Sequence, residues 1–593
     1  MATRKQRKRK QGQRCDQPRG AFQSRMRSVL DPNAPSALVL RRLWLSPEAL
    51  GLRDEYRQRI MDGYPYAADP DTEEPLSGLI DAAAGWPYLE TIHDFFVGRV
   101  QELVSDRGSA EWLWWLRRLR GQFDDVNDIP STGPYIEGVA EALSAGVSRP
   151  SIPFPDHPTF EFPFTPEVLL DLTWLREISI MMYRLHATMK RCAKGQAVDL
   201  IPGEIPRWEP DDVLDDAIEE YDQRSEREGS NLLTAVGVVG SPMINPDPGR
   251  LRIGGLVPHW YGVGVERPPA FDKADPLPFL FSWIDLDTIG PLCEQVILTE
   301  THVALILLLW AAFNIGTREP EHALRRMTTP FQWGYMVTPT DSFLVPALDE
   351  ICESLAEGAG HAISGCWRPR SAVEVLEVLR AIQPEVWPPL CGCPVHEADR
   401  HSVIDLVGAS RRLFATLLRP ADGADVNVWS AHFEHDVQAI IDKSSWRPPD
   451  QMRPLIGRTV RRSNGTALTD IDALGFNAGR MLLISCKSIA FTVPALRGEF
   501  AVTRNIKEKI ESAASEWDEV TKALRDDPTL LGPGLFRDAA IDGCVVFPST
   551  PFYTDPRWRR SVFGMFPYLL SVSELATCLG EPSFFAAAVA NTK

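Results

Sequence analysis

Two short strings in the last third of this chain set acids and a lysine at spacings that suit phosphate chemistry. They are Thr469-Asp470-Ile471-Asp472 and Ser485-Cys486-Lys487. Side chains alternate along a strand, so Asp470 and Asp472 share one face, and Ser485 and Lys487 share one. A lysine beside a carboxylate on an otherwise apolar hairpin needs a reason. A Mg²⁺ site is one, because the ion takes one or two carboxylates and completes its shell with waters and substrate phosphate. The alternative is a surface ion pair of Asp472 with Lys487, worth about 0–1 kcal/mol.

Two other clusters carry possible chemistry. Cys391, Cys393 and His396 stand at the close thiolate–imidazole spacing of a zinc knuckle, with Cys366 upstream or His401 downstream to complete a tetrahedron. The other reading is a loop with two ordinary thiols, since the second half of a regular CxxC pair is missing. The segment SAEWLWWLRRLRGQF gathers Trp112, Trp114 and Trp115 with Arg117, Arg118 and Arg120. Aromatic and Arg side chains together can stack on bases and hold phosphates. The same stretch reads as a helix with an apolar core face and snorkelling arginines on the other.

The elements that must position these groups follow from periodicity and turn residues. SAHFEHDVQAIID predicts a helix over 430–442 with Phe433, Val437, Ile440 and Ile441 on its apolar face and Glu434 beside that face. Strands are expected at 455–460, 468–476 and 481–489, the last two joined by a turn at Asn477-Ala478-Gly479. A long amphipathic helix over 505–525 follows, then a strand at 541–547, a further run at 561–570, and a capped helix at 573–579.

This α-β-β-β-α-β order, with its Asp472 string and its Lys487 string, resembles the restriction-endonuclease-like nucleases, the PD-(D/E)xK superfamily. The likeness covers roughly 425–593. It implies a metal-dependent hydrolase of nucleic acid, with DNA as the partner and Mg²⁺ or Mn²⁺ as the cofactor. Asp472 would be a metal ligand, and Lys487 would orient the attacking water. The chain departs from the pattern at Ser485, which stands where the second acid belongs. Glu434, from the first helix, is then the carboxylate that completes the set Asp472, Lys487 and Glu434, with Asp470 in reserve. The alternative is a degenerate nuclease fold serving as a non-catalytic scaffold or a nucleic-acid-binding module. Arg453, Arg458, Arg461 and Arg462 before the hairpin, and Arg557, Arg559 and Arg560 after it, are candidate phosphate contacts.

Upstream of this region the sequence predicts an α+β multidomain chain. A basic tail, residues 1–28, is expected to be disordered. A mainly helical body follows over 29–420, with Pro-rich stretches near 149–166 and 241–278, and then the C-terminal module over 421–593. The first 27 residues hold ten Lys and Arg against one acid, and residues 431–593 hold 19 of each sign. The net charge of −18 therefore sits in the body, which is a poor platform for phosphates and a better one for a protein partner. Gly254-Gly255 and Gly262-Val263-Gly264 lack the strand–loop–helix setting of a nucleotide site. No run reaches the roughly 20 apolar residues of a bilayer span, and VALILLLWAAF (303–313) reads as a buried helix. Ten scattered cysteines without a disulfide framework suggest a reducing cytoplasm and no membrane partner.

Overall fold

The structure is a computed structural model. It describes residues 17–29, 43, 46–65, 77–119, 132–148, 162, 165–235, 252–258, 279–285, 299–317, 330, 333–356, 367–382, 393–417, 426–489, 498–532 and 539–580. The chain is α+β, mainly helical, with several small sheets.

The body holds two apolar cores. Helices α1 (Gln17–Val29), α2 (Pro47–Met61), α3 (Ala82–Val104), α4 (Ser109–Leu119), α5 (Thr132–Leu143) and α6 (Pro166–Ala193) surround the first. Of these, α6 begins at an N-cap, Thr165, whose side chain accepts from the Val168 N–H, and Pro166 follows at its first position. Strands β1 (Gly78–Ile80), β2 (Val198–Leu200) and β3 (Arg207–Trp208) form a small antiparallel sheet at its edge. Helix α7 (Asp212–Ala235) follows, then the antiparallel pair β4 (Arg252–Pro258) and β5 (Phe279–Asp285). The second core joins α8 (Glu300–Thr317), α9 (Val345–Ala356), α10 (Ala372–Ala381) and α11 (Leu406–Leu417) to an antiparallel sheet. That sheet comprises β6 (Tyr335–Pro339), β7 (Val395–Ala398) and β8 (His401–Asp405), in the order β6-β8-β7. Among the described residues no helix is long and apolar enough to cross a membrane.

The tail differs from the sequence expectation. Residues 17–29 are helical rather than disordered, because Phe22 and Met26, four apart on one face, bury completely in the first core. Arg19 and Arg25 are exposed at other positions of this helix. Residues 1–16 lie outside the described residues.

The C-terminal core is a four-stranded mixed sheet in the order β11-β12-β13-β16. Helix α12 (Val426–Lys443) precedes it, followed by the short pair β9 (Thr459–Arg461) and β10 (Ala467–Asp470). Then β11 (Ala473–Asn477) and β12 (Arg480–Cys486) form an antiparallel hairpin. Ala478 and Gly479 both take positive φ, 47° and 74°, the backbone of a primed two-residue turn. Helix α13 (Phe500–Asp526) carries the chain over to β13 (Ala540–Phe547), parallel to β12. β14 (Ser561–Val562) and β15 (Phe566–Pro567) pair with each other. Then β16 (Leu569–Ser571) adds in parallel to β13, and α14 (Val572–Cys578) closes with a Ser571–Glu574 capping box.

Three expected strands are corrected. Leu455 lies in a 3-10 turn, Arg453–Leu455, and only Thr459–Arg461 is extended. The run 468–476 is not one strand; it breaks at Ile471-Asp472 into β10 and β11, which belong to different sheets. The last strand stops at Cys486, so Lys487 lies one residue beyond it.

Two glycines show which face each helix covers. A Cβ on Gly475 would touch Ile441 and Trp446, at the end of α12 and just after it, whereas one on Gly543 would meet Thr521 Cγ2 at 2.5 Å and Trp517 Nε1 at 2.7 Å on α13. Gly475 pairs with Leu482 and Gly543 with Leu483, so even-numbered residues of β12 face α12 and odd-numbered ones face α13. Gly543→Ala forces the strand and helix apart, and should cost about 1–3 kcal/mol in urea unfolding, with the midpoint lowered.

Candidate active site

The site lies where β12 ends. The β11/β12 register, which pairs Ala473 with Ile484, carries on to set Asp472 opposite Ser485. Asp472 Oδ2 accepts the Cys486 backbone N–H at 2.7 Å and the Ser485 hydroxyl at 3.3 Å. Both bonds fall on one oxygen, so Oδ1 is the one available to a cation. The Lys487 N–H donates to the Val546 carbonyl at 2.9 Å, so the backbone stays tied to β13 past the formal end of the strand. A hydroxyl–hydroxyl hydrogen bond between Ser430 and Ser488 ties α12 to the segment after β12. One turn further along α12 stands Glu434, half-buried.

The charges of these groups act on one another. Burial raises the Asp472 carboxyl above its ordinary range. The Cys486 N–H, the Lys487 ammonium and the Ser485 hydroxyl pull it back, and Asp470 adds to the rise. Glu434 is raised first by burial, then by the Asp472 carboxylate, with Lys487 opposing and Asp470 reinforcing. Glu434, Asp472 and Lys487, distant in sequence, thus share one electrostatic neighbourhood. Two carboxylates whose charged forms disfavour each other are a donor set that a cation relieves. With waters and a phosphate oxygen, they are enough for Mg²⁺ or Mn²⁺. The trio Asp470, Asp472 and Glu434 does not bring its oxygens within 4.8 Å of one another.

A cleft of about 220 Å³ opens on the α13 face of this strand end. Ser485 and Lys487 line it with Arg462 and Thr469 on one side and Glu516, Trp517 and Glu519 of α13 on the other. Sequence reading missed both glutamates. They lie in a helix whose exposed acids look like ordinary solvated charge, and only the crossover of α13 over β12 brings them to Ser485.

The two arginine clusters separate. Arg458, Arg461 and Arg462 are exposed and have no carboxylate within ion-pair distance among the described residues, whereas Arg453 pairs with Asp442 at 2.9 Å. In the second cluster all three are engaged. Arg557 binds Asp555, Arg559 reaches Glu220 of α7 at 3.1 Å, and Arg560 bonds Asp518 at 2.6 Å while lying over the Tyr568 ring. Arg557 and Arg559 are still exposed, each paired with a carboxylate, whereas Arg560 is half-buried against Tyr568 and is a poor phosphate ligand.

The Trp-rich helix is not a stacking platform either. Trp112, Trp114 and Trp115 are buried in the first core, and Arg117 does not snorkel. Its guanidinium is 3 % exposed and bonds Glu137 at 2.6 Å, both Asp405 oxygens and the Trp333 carbonyl. The Arg118 side chain and Arg120 lie outside the described residues. So do Cys366 and Cys391 of the expected zinc set. His401 does not join His396 at a common point, because the hairpin sets it at the start of β8, across from Ala398.

The body grips the C-terminal core through α7. Arg224 bonds both Glu574 oxygens at 2.7 and 2.8 Å, the Tyr553 hydroxyl and the Leu569 carbonyl, and Tyr221 packs edge-on against Phe552.

Comparison of the chain with protein-family models, curated proteins and solved structures finds no match.

Proposed function

We propose that the C-terminal region is a metal-dependent phosphodiesterase acting on nucleic acid, DNA being the expected substrate, in the manner of the restriction-endonuclease-like nucleases it resembles. The observation that carries this reading is the gathering of Glu434, Asp472 and Lys487 at one strand end beside a cleft. Helix α12, the β11–β12 hairpin, the crossover α13 and parallel β13 support that reading, although the expected three strands before α13 are four, β9 and β10 forming a separate pair. Arg462 lines the cleft, and it and the exposed Arg458 and Arg461 nearby in sequence suit a phosphate backbone.

Asp472 and Glu434 would hold the ion, with the Ser485 hydroxyl and the Cys486 N–H fixing the Asp472 rotamer. When bound, Mg²⁺ or Mn²⁺ supplies Lewis acidity at the scissile phosphate. Lys487 lines the cleft wall, where its side chain can orient a water and donate to charge developing on phosphate oxygens. The acid absent at Ser485 has substitutes in Glu434 and, across the cleft, in Glu516 and Glu519. The acidic body, held to the module by Arg224, would receive a protein partner or gate access, in keeping with a cytoplasmic role in DNA processing or defence. Ser485 favours a second reading, a nuclease fold kept as a scaffold.

The test is cleavage of single- and double-stranded DNA and of RNA with Mg²⁺ or Mn²⁺. Lys487→Ala should slow cleavage by about a hundredfold or more, the usual cost of losing one donor to transition-state charge. Ser485→Glu should keep or raise the rate. Absence of cleavage by the wild type and by Ser485→Glu alike selects the scaffold.

A further inference from the structure

A second constellation lies in the body, away from the nuclease-like site. Glu141 on α5, His396 on β7 and Asp405 at the end of β8 are all buried, and one ligand atom from each lies within 4.8 Å of the others. Among the described residues no other His, Cys, Asp or Glu set meets that distance. Tetrahedral zinc with bonds of about 2.1 Å needs donors roughly 3.4 Å apart, so closure asks little of the three side chains.

The histidine is the informative member. It is 2 % exposed, and its Nε2 has no hydrogen-bond partner. Its Nδ1 meets the Ser109 hydroxyl at 2.7 Å, which fixes the ring and leaves Nε2 as the coordinating atom. A buried imidazole nitrogen without a partner costs free energy unless something accepts its lone pair.

Charge points the same way. Glu137, Glu141 and Asp405 are three buried carboxylates around one fully buried guanidinium, Arg117, with half-buried Arg412 the next cation. Arg117 already engages both Asp405 oxygens, but each carboxylate oxygen has a second lone pair.

We propose that Glu141, His396 and Asp405, with a water as the fourth donor, form a structural zinc site that pins α5 of the first core to the β7–β8 hairpin of the second. An imidazole among carboxylates in a buried setting suits zinc rather than Mg²⁺ or Ca²⁺, which prefer oxygen alone. The site shares only His396 with the knuckle expected from sequence. Its two carboxylates come from positions 141 and 405.

The test uses the full chain purified without chelators. Metal analysis should find one zinc per chain. Chelation should lower Tm and added Zn²⁺ should restore it, while a Co²⁺-loaded sample should show the visible absorption of a tetrahedral site. His396→Ala and Glu141→Gln should lose the bound zinc and its Tm increment. Ser109→Ala should bind about tenfold more weakly, the usual cost of losing the partner of a ligating histidine. If His396→Ala does not fold, Glu141→Gln, which keeps the side-chain shape, decides. Wild-type protein without zinc and without a zinc-dependent Tm overturns the site. So does zinc content that Glu141→Gln leaves unchanged.

Discussion

Asp472→Asn is expected to abolish nuclease activity while leaving the metal-free chain at least as stable as the wild type near neutral pH. The loss follows from removing a metal ligand. A metal's charge stabilisation is worth several kcal/mol, and about 1.4 kcal/mol is a factor of ten, so cleavage should fall by a hundredfold or more. The retained stability follows from the direction of the pKa shift. Burial holds the folded-state pKa of Asp472 above its ordinary 3.8. Its contribution to the metal-free fold is therefore fully present below that ordinary value, with the group protonated, and is lost as pH rises through the folded pKa. Asparagine escapes that loss, and its carbonyl oxygen still accepts the Cys486 N–H. Urea unfolding across the acid range should show the wild type losing stability relative to Asp472→Asn as pH rises. Added Mg²⁺ should stabilise only the wild type. Cleavage should fade on acidification as the raised Asp472 and Glu434 carboxyls take up protons. Undiminished cleavage by Asp472→Asn would remove Asp472 from the site.

Arg117→Leu should be the most damaging single substitution in the body. It strips the shared partner from Glu137 and Asp405, whose side chains are 6 % and 2 % exposed. Deleting one member of a buried ion pair leaves a charge without compensation and typically costs 3–5 kcal/mol, roughly a third or more of a domain's stability. Here two acids are stranded, and the Trp333 carbonyl loses its donor as well. The expected result is a large drop in Tm, or insoluble protein. Restoring charge with Arg117→Lys should recover only part, since an ammonium cannot reach three acceptors in the guanidinium's fixed fork.

Much of the C-terminal core was legible from local signals. The continuous apolar run MLLI, the turn at Ala478-Gly479 and the helical spacing of Ile510, Ala514, Trp517, Val520 and Leu524 each depend on neighbours in sequence, and each matches the structure. The interruption at Ile471-Asp472 was not legible. The residues LTDIDALGF carry strand propensity throughout, and nothing local says that β10 and β11 join different sheets. The buried Phe22 and Met26 were masked by surrounding arginines, because composition averages over a segment while burial acts through one face. The same limit misread Arg117, whose neighbours suggested an exposed basic face.

The sequence by itself determined the main helices and the β12 hairpin of the C-terminal core, their apolar faces, and the candidacy of Asp472 and Lys487, since propensity and periodicity are properties of adjacent residues. Only the tertiary structure decided which polar groups meet. Glu434 comes to Asp472 because α12 packs on the β11–β12 hairpin, and Glu516 and Glu519 come to Ser485 because α13 crosses the opposite face. Glu141 comes to His396 and Asp405 because two separate cores close on each other. Such contacts join residues dozens to hundreds of positions apart. They are set by which faces bury together, and no local pattern encodes that pairing.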